Sequence, residues 1–184
     1  MRKILLLMIV LGFPICGFPQ LCFKECNIQF CENNPEYMVK EFQGLSAERL
    51  YGDVKNFIVS SFKSSKNVLS ESGEILSVNG VSYRDAYIKY MGTKLRLIID
   101  YTLIVRVKDG KIRIDTPVIN SIKTDTNPEQ VVHMGKGSNS MRTFYVYKKN
   151  GDIRYKDFEP TVLDYFNKFI NNLIAAIGSP DNDW

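Results

Sequence analysis

The side chains in this sequence that could do chemistry are few, and their spacing suits no familiar reaction. His133 is the single histidine, set beside Met134 and Gly135 in a polar stretch without a recognisable serine or cysteine nucleophile motif. Acid or base work by an imidazole needs a placed partner, so His133 reads as a solvated loop residue. Asp152, Asp157, Glu159 and Asp164 gather around the start of the last helical pattern. They would hold calcium only by converging, their spacing is not that of an EF-hand loop, and a helix dipole already favours acids there. Gly135-Lys136-Gly137-Ser138 has the glycines and lysine of a phosphate cradle but lacks the full phosphate-loop spacing and a clear strand-to-helix setting. Cys22, Cys26 and Cys31 lack the fourth ligand that a zinc site needs. In an oxidising compartment one pair of them can close a disulfide and leave one thiol over. Cys22 with Cys31, or Cys26 with Cys31, are easier closures than the tight Cys22 to Cys26 loop, and the pairing stays open. No catalytic residue, metal or cofactor is expected.

Tyrosines offer binding rather than reaction. Tyr83, Tyr87, Tyr90, Tyr145, Tyr147 and Tyr155 fall in strand or hairpin patterns, with Arg84, Arg142 and Lys148 close in sequence. Exposed tyrosine beside arginine is the composition of a recognition surface. Tyr83, Tyr87, Arg84, Tyr145 and Tyr147 are therefore the binding candidates. The plainer reading makes the same residues strand formers that pack across a sheet.

The elements that must carry these residues follow from periodicity. A short strand is expected at Tyr37 to Phe42, closed by Gly44. Ser46 then caps a helix over Ala47 to Phe62, whose stripe is Leu50, Val54, Phe57, Ile58 and Phe62. Short strands are expected at Lys66 to Glu71 and Glu74 to Val78, with Asn79-Gly80 as a turn or bulge and a mixed stretch from Val81 to Tyr90. The clearest strand has Leu95, Leu97, Ile99, Tyr101, Leu103, Val105 and Val107 on one face and mostly polar residues on the other. Asp109-Gly110 predicts a two-residue hairpin turn. The return strand carries Ile112, Ile114, Val118 and Ile122, and Pro117 confines it to an edge or a bulge. Thr124 to Ser140 reads as a long polar loop, and Phe144 to Lys148 with Ile153 to Lys156 as a small hairpin about Asn150-Gly151. Pro160 in the first turn, Gly178 past the end and Pro180 beyond frame a last helix with Val162, Phe166, Phe169, Ile170, Leu173 and Ile177 as its stripe.

Residues 1 to 20 have the order of a signal peptide: Arg2 and Lys3, an apolar run from Ile4 to Ile15, then Cys16, Gly17 and Pro19. The run is too short to span a bilayer, which needs about 20 residues, so no transmembrane segment is expected after its removal. A lipoprotein, with Cys16 or Cys22 modified, is disfavoured by Ile15 and Leu21 where a small residue belongs. The protein is thus expected outside the cytoplasm, periplasmic or extracellular. At 184 residues, 45% hydrophobic and 24% charged, the chain has the composition of one globular domain. Its net charge of +4 falls to +2 without Arg2 and Lys3, too little to argue for nucleic acid. The expected organisation is a leader at 1 to 20, a cysteine-bearing lead-in at 21 to 35, one domain at 36 to 178 with an insert at 124 to 157, and a tail at 179 to 184.

The order strand, helix, four antiparallel strands, helix predicts a two-layer α+β fold, β-α-β-β-β-β-α, with both helices on the apolar face of an antiparallel sheet. Gly44-Leu45-Ser46 leading into Glu48-Arg49-Leu50-Tyr51, Phe62 to Val68, Gly73-Glu74-Ile75, and Val105 to Arg113 resemble a family of exported bacterial proteins of unknown function with a TATA-binding-protein-like fold. The resemblance spans about Glu36 to Ile122 and implies the fold; the family offers no activity to transfer. DNA binding is not expected, since a single repeat with little charge and an export leader suits neither groove nor compartment. The expected role is a non-enzymatic binding or interaction domain of the cell envelope, its partner an envelope protein, a lipid or another hydrophobic ligand. The alternatives are an exported hydrolase built on His133 and the helix-start acids, and a structural envelope subunit.

Overall fold

The computed structural model describes residues 20–31, 34–62 and 68–178, without the Arg84 side chain. The leader up to residue 19, the start of the strand expected from Lys66, and the tail from residue 179 lie outside the described residues. Among the described residues ten strands and two helices follow one another: β1 Leu21–Lys24, β2 Asn27–Phe30, β3 Tyr37–Glu41, α1 Ala47–Ser61, β4 Leu69–Ser72, β5 Ile75–Tyr90, β6 Thr93–Lys108, β7 Lys111–Asp115, β8 Val118–Thr124, β9 Val131–Lys136, β10 Thr143–Tyr147 and α2 Phe158–Ala176.

β6 organises the molecule because its alternation is unbroken. Leu97, Ile99, Tyr101, Leu103, Val105 and Val107 are all buried. One edge of β6 pairs with β5 along nearly its whole length, and the other is shared between β8 at its first half and β7 at its second. β4 extends the sheet beyond β5, β3 beyond β7, and β9 and β10 beyond β8, all antiparallel except the β9 and β10 pair. Pro117 is where the return strand divides. Without an N–H it cannot serve the ladder, and β7 and β8 stop and start on either side of it. An irregularity at Asn120 then shifts the alternation, so Val118 lies outward, 58% exposed, while Ile122 regains the core. The expected inward Val118 is corrected by that one extra residue.

Both helices lie on the apolar face, as the period change in the sequence requires. Ser46 caps α1 by accepting a hydrogen bond from the Arg49 N–H at 3.2 Å, and Leu50, Val54 and Ile58 are buried beneath the helix. Phe158, Val162, Phe166, Ile170, Leu173 and Ile174 face inward from α2, which ends before Gly178 at a φ of 73°. Phe57 meets Phe169 edge on and Phe62 meets it at a tilt, with ring centroids 5.5 and 6.0 Å apart, and they join the two helices. Among the described residues no helix is long and apolar enough to cross a membrane.

Four expectations change. Asn79-Gly80 is no turn: both residues sit inside β5, opposite Thr102 and Tyr101. A Cβ on Gly80 would fall inside the Tyr101 ring, so the glycine is there to let an aromatic side chain lie across the strand. The mixed stretch at Val81 to Tyr90 continues the same strand, with an irregularity between Tyr83 and Tyr87 that accommodates its charged residues. The long loop and second hairpin are replaced by β9 and β10 running parallel; Ile153 touches Tyr147 only as an isolated bridge. Residues 21 to 30, read as a lead-in, fold as the hairpin β1 and β2 and bury Leu21, Ile28 and Phe30.

Candidate functional site

The side of the sheet away from the helices is open. Alternation dictates what it shows: each residue between two buried neighbours on β6 points outward, and the register carries that row into the adjoining strands. One row crosses five strands, from Tyr83 through Ile98, Lys123 and Val131 to Thr143. No described element covers it, and Val39, Val81, Tyr83, Val118 and Val131 are 39 to 66% exposed. The middle of the face is polar and internally satisfied. The Asn120 amide donates to Thr102 Oγ1 at 3.1 Å, and the Thr102 hydroxyl donates to Asn79 Oδ1 at 2.9 Å.

Each end of the face is cationic. At one end Lys94 stands over the Tyr87 ring at 3.7 Å, a cation–π contact, with Arg96 across the strand pair. At the other end Tyr37, Val39, Arg106, Lys108, Lys111, Ile112 and Arg113 line a cup of about 260 Å³. Asp115 accepts from Arg113 Nε at 2.7 Å and from Arg106 at 3.3 Å, and the Arg113 guanidinium lies over Tyr37 at 3.8 Å.

The tyrosine candidates part company. Tyr83 and Tyr87 stand on the open face. Tyr145 stacks on His133 at 5.0 Å between ring centroids, at the β9 and β10 end, and its ring occupies the space a Cβ on Gly137 would need. Tyr147 faces the core at 7% exposure, and its hydroxyl donates a hydrogen bond to the Glu159 carboxylate. Burial, helped by that carboxylate, raises its pKa. The Arg84 side chain lies outside what is described. Sequence reasoning passed over Arg106, Lys108, Lys111 and Arg113; the signal was their alternation with Val105, Val107 and Ile112 about the Asp109-Gly110 turn.

The residues weighed for catalysis are not brought together. His133 stacks on Tyr145, whereas Asp157 pairs with Lys89 at 3.3 Å and Asp164 with Lys168 at 2.7 Å. Among the described residues no group of three His, Cys, Asp or Glu side chains converges as a metal site would. Cys22 lies in β1, Cys26 in the turn at a φ of 65°, and Cys31 just after β2, with no disulfide among the described residues. Two further depressions are open clefts. One, of about 490 Å³, lies between the first hairpin and β8 and includes Ile28, Pro35, Thr116 and Met134. The other, of about 350 Å³, lies beside α2 at Asp85, Asp164, Tyr165 and Lys168.

No family model matches the chain, and no curated protein does. Its structure is similar to that of a DUF4468 family protein from Bacteroides ovatus, with a TM-score of 0.51 and 14% identity over 89% of this chain and 94% of that one. It also aligns with a TBP-like protein from Parabacteroides distasonis at a TM-score of 0.46 and 10% identity, over 79% of this chain and 92% of that one. The first is a bacterial protein whose name gives a family and no activity, the kind of relative that the sequence resemblance implies. At such identity the likeness to the first concerns the fold alone.

Proposed function

We propose that this domain is an exported, non-catalytic recognition module that binds a component of the cell envelope through the open face of its sheet. The observation that carries the reading is the exposure of Val81, Tyr83, Val118 and Val131 on one uncovered face with cations at both ends. Val81 and Tyr83 leave apolar surface exposed side by side on one strand, exposed apolar surface rimmed by polar residues marks interaction sites, and aromatic and arginine side chains are the residues that anchor them. Export is supported by the order of residues 1 to 20, with its basic pair and apolar run.

The test is comparative capture. Immobilised wild-type protein and a Val59→Ser control, altered on the exposed side of α1, should retain the same envelope component or bind the same lipid vesicles. A Val81→Ser, Tyr83→Ala double variant should lose it by tenfold or more. Capture that ignores the face substitutions, or none from either extract or vesicles, overturns the reading.

A further inference from the structure

The cup at the end of the open face has a feature that sheet stability argues against. Strand register sets Arg106 directly opposite Arg113 and Lys108 directly opposite Lys111 on the same side of the β6 and β7 hairpin. Like charges directly opposite one another across a strand pair are destabilising, and here two such pairs are consecutive. Compensation is partial. Asp115 answers both arginines, and Glu41 stands opposite Lys111 in β3 without an ion pair to it among the described residues. Lys108 and Lys111 have no carboxylate partner among the described residues, and the arginines spend only part of their donor forks on Asp115.

The backbone that carries these side chains is also tied down. Phe42 N–H donates to the Gly110 carbonyl at 2.7 Å, Gly110 N–H donates to the Leu45 carbonyl at 2.9 Å, and Ala47 N–H donates to Asp109 Oδ1 at 2.7 Å. The hairpin turn is thereby tied to the entry of α1. Asp115 and the Tyr37 ring fix the Arg113 guanidinium from two sides. Positive charge gathered on a rigid hairpin is pre-organised for a ligand, which lowers the ordering cost of binding.

We propose that this cup is a binding site for a multiply charged oxyanion group of the phosphate or sulfate type. Planar guanidinium forks match tetrahedral oxyanions, and lysine ammoniums add point charge. At about 260 Å³ the cup falls just below the usual range for drug-sized ligands, about 300 to 1,000 Å³, and suits a small charged group. The inference gives a ligand chemistry to one end of the recognition face and rests on that reading, but the lysine substitutions that test it lie at the end of the face away from Tyr83.

Inorganic pyrophosphate is titrated calorimetrically into the mature protein at low ionic strength, with chloride at matched ionic strength as control. Saturable binding at one site is expected, weakened at least tenfold in Lys108→Gln, Lys111→Gln and unchanged in Val59→Ser on the exposed side of α1. The same lysine variant, relieved of its like-charge pair, should melt no lower than wild type without ligand and gain less on adding it. A parallel arm uses phosphatidylcholine vesicles with and without phosphatidic acid. Binding there alone, lost in the lysine variant, assigns the oxyanion to a lipid headgroup, whereas pyrophosphate binding assigns it to a free group. No saturable binding in either arm, or binding equal in wild type and lysine variant, overturns the site. Pyrophosphate binding that survives Val81→Ser, Tyr83→Ala when capture is lost separates the cup from the recognition reading.

Discussion

Tyr101 shows how far one side chain can organise its surroundings. Its ring lies across Gly80, packs edge on against Phe166 at 5.0 Å between centroids, and shares a 2.8 Å hydrogen bond between hydroxyls with Tyr165. Burial raises the pKa of Tyr101, with the Tyr165 phenol as the next cause, and burial raises those of Tyr165 and Tyr155 as well. Tyr147 is raised by burial and by its bond to Glu159. All four are held neutral by the fold, so the sign of the linkage is clear. A folded-state pKa above the unfolded value near 10 contributes stability that is complete below pH 10 and is lost as pH rises beyond it. Phenolate absorbance followed together with far-ultraviolet circular dichroism should show these four ionising only as structure is lost. Full phenolate absorbance for all ten tyrosines with the dichroism unchanged would contradict their burial.

At the scale of elements, the turns set the register, and the sequence announces them unevenly. Asp109-Gly110 was legible because aspartate and glycine are turn residues, although only Gly110 takes positive φ, at 71°. The turn that joins the two longest strands is Met91-Gly92, with φ of 49° and 80°. Methionine carries no turn signal, and its left-handed backbone costs about 1 to 2 kcal/mol, a strain imposed by the long β5 and β6 pairing on either side. Met91 is 88% exposed, so its side chain gives little in return. Met91→Asn should raise stability by about 1 kcal/mol, since asparagine tolerates this backbone. The urea midpoint measures it; an unchanged or lower midpoint would mean that the methionine is not strained there. The helices and β6 were readable for the opposite reason, because their stripes are long and local and Ser46 and Gly178 mark ends. β9 was not, nor was its parallel pairing with β10: a stretch that reads as a polar loop pairs with one that reads as the first arm of a hairpin, and Val132, Phe144, Val146 and Tyr147 are their buried residues.

The whole molecule differs most from its sequence reading at the beginning of the described residues. Residues 21 to 35 read as a cysteine-bearing lead-in because their apolar runs are short and the turn, Glu25-Cys26, both at positive φ, at 51° and 65°, contains no glycine, asparagine or aspartate to announce it. The hairpin nonetheless closes over α2. Leu21 N–H donates to Asn167 Oδ1 at 2.9 Å, Phe23 meets Phe158 at 5.7 Å between ring centroids, and Phe30 is 4% exposed. A side chain buried to that degree packs as a core residue wherever it falls in the chain, and replacing phenylalanine by alanine in a core costs about 3 to 5 kcal/mol. Against a usual domain stability of about 5 to 15 kcal/mol, that loss is a large share of the total. Phe30→Ala should therefore lower the urea unfolding free energy by about 3 kcal/mol or more, within one cooperative transition because the hairpin and α2 share a core. A loss below about 1 kcal/mol would be that of a surface site and would detach the hairpin from the domain. A separate early transition confined to the hairpin would do the same. The same packing places Cys22, Cys26 and Cys31 on a folded hairpin, so the open face and the thiols belong to a single unit.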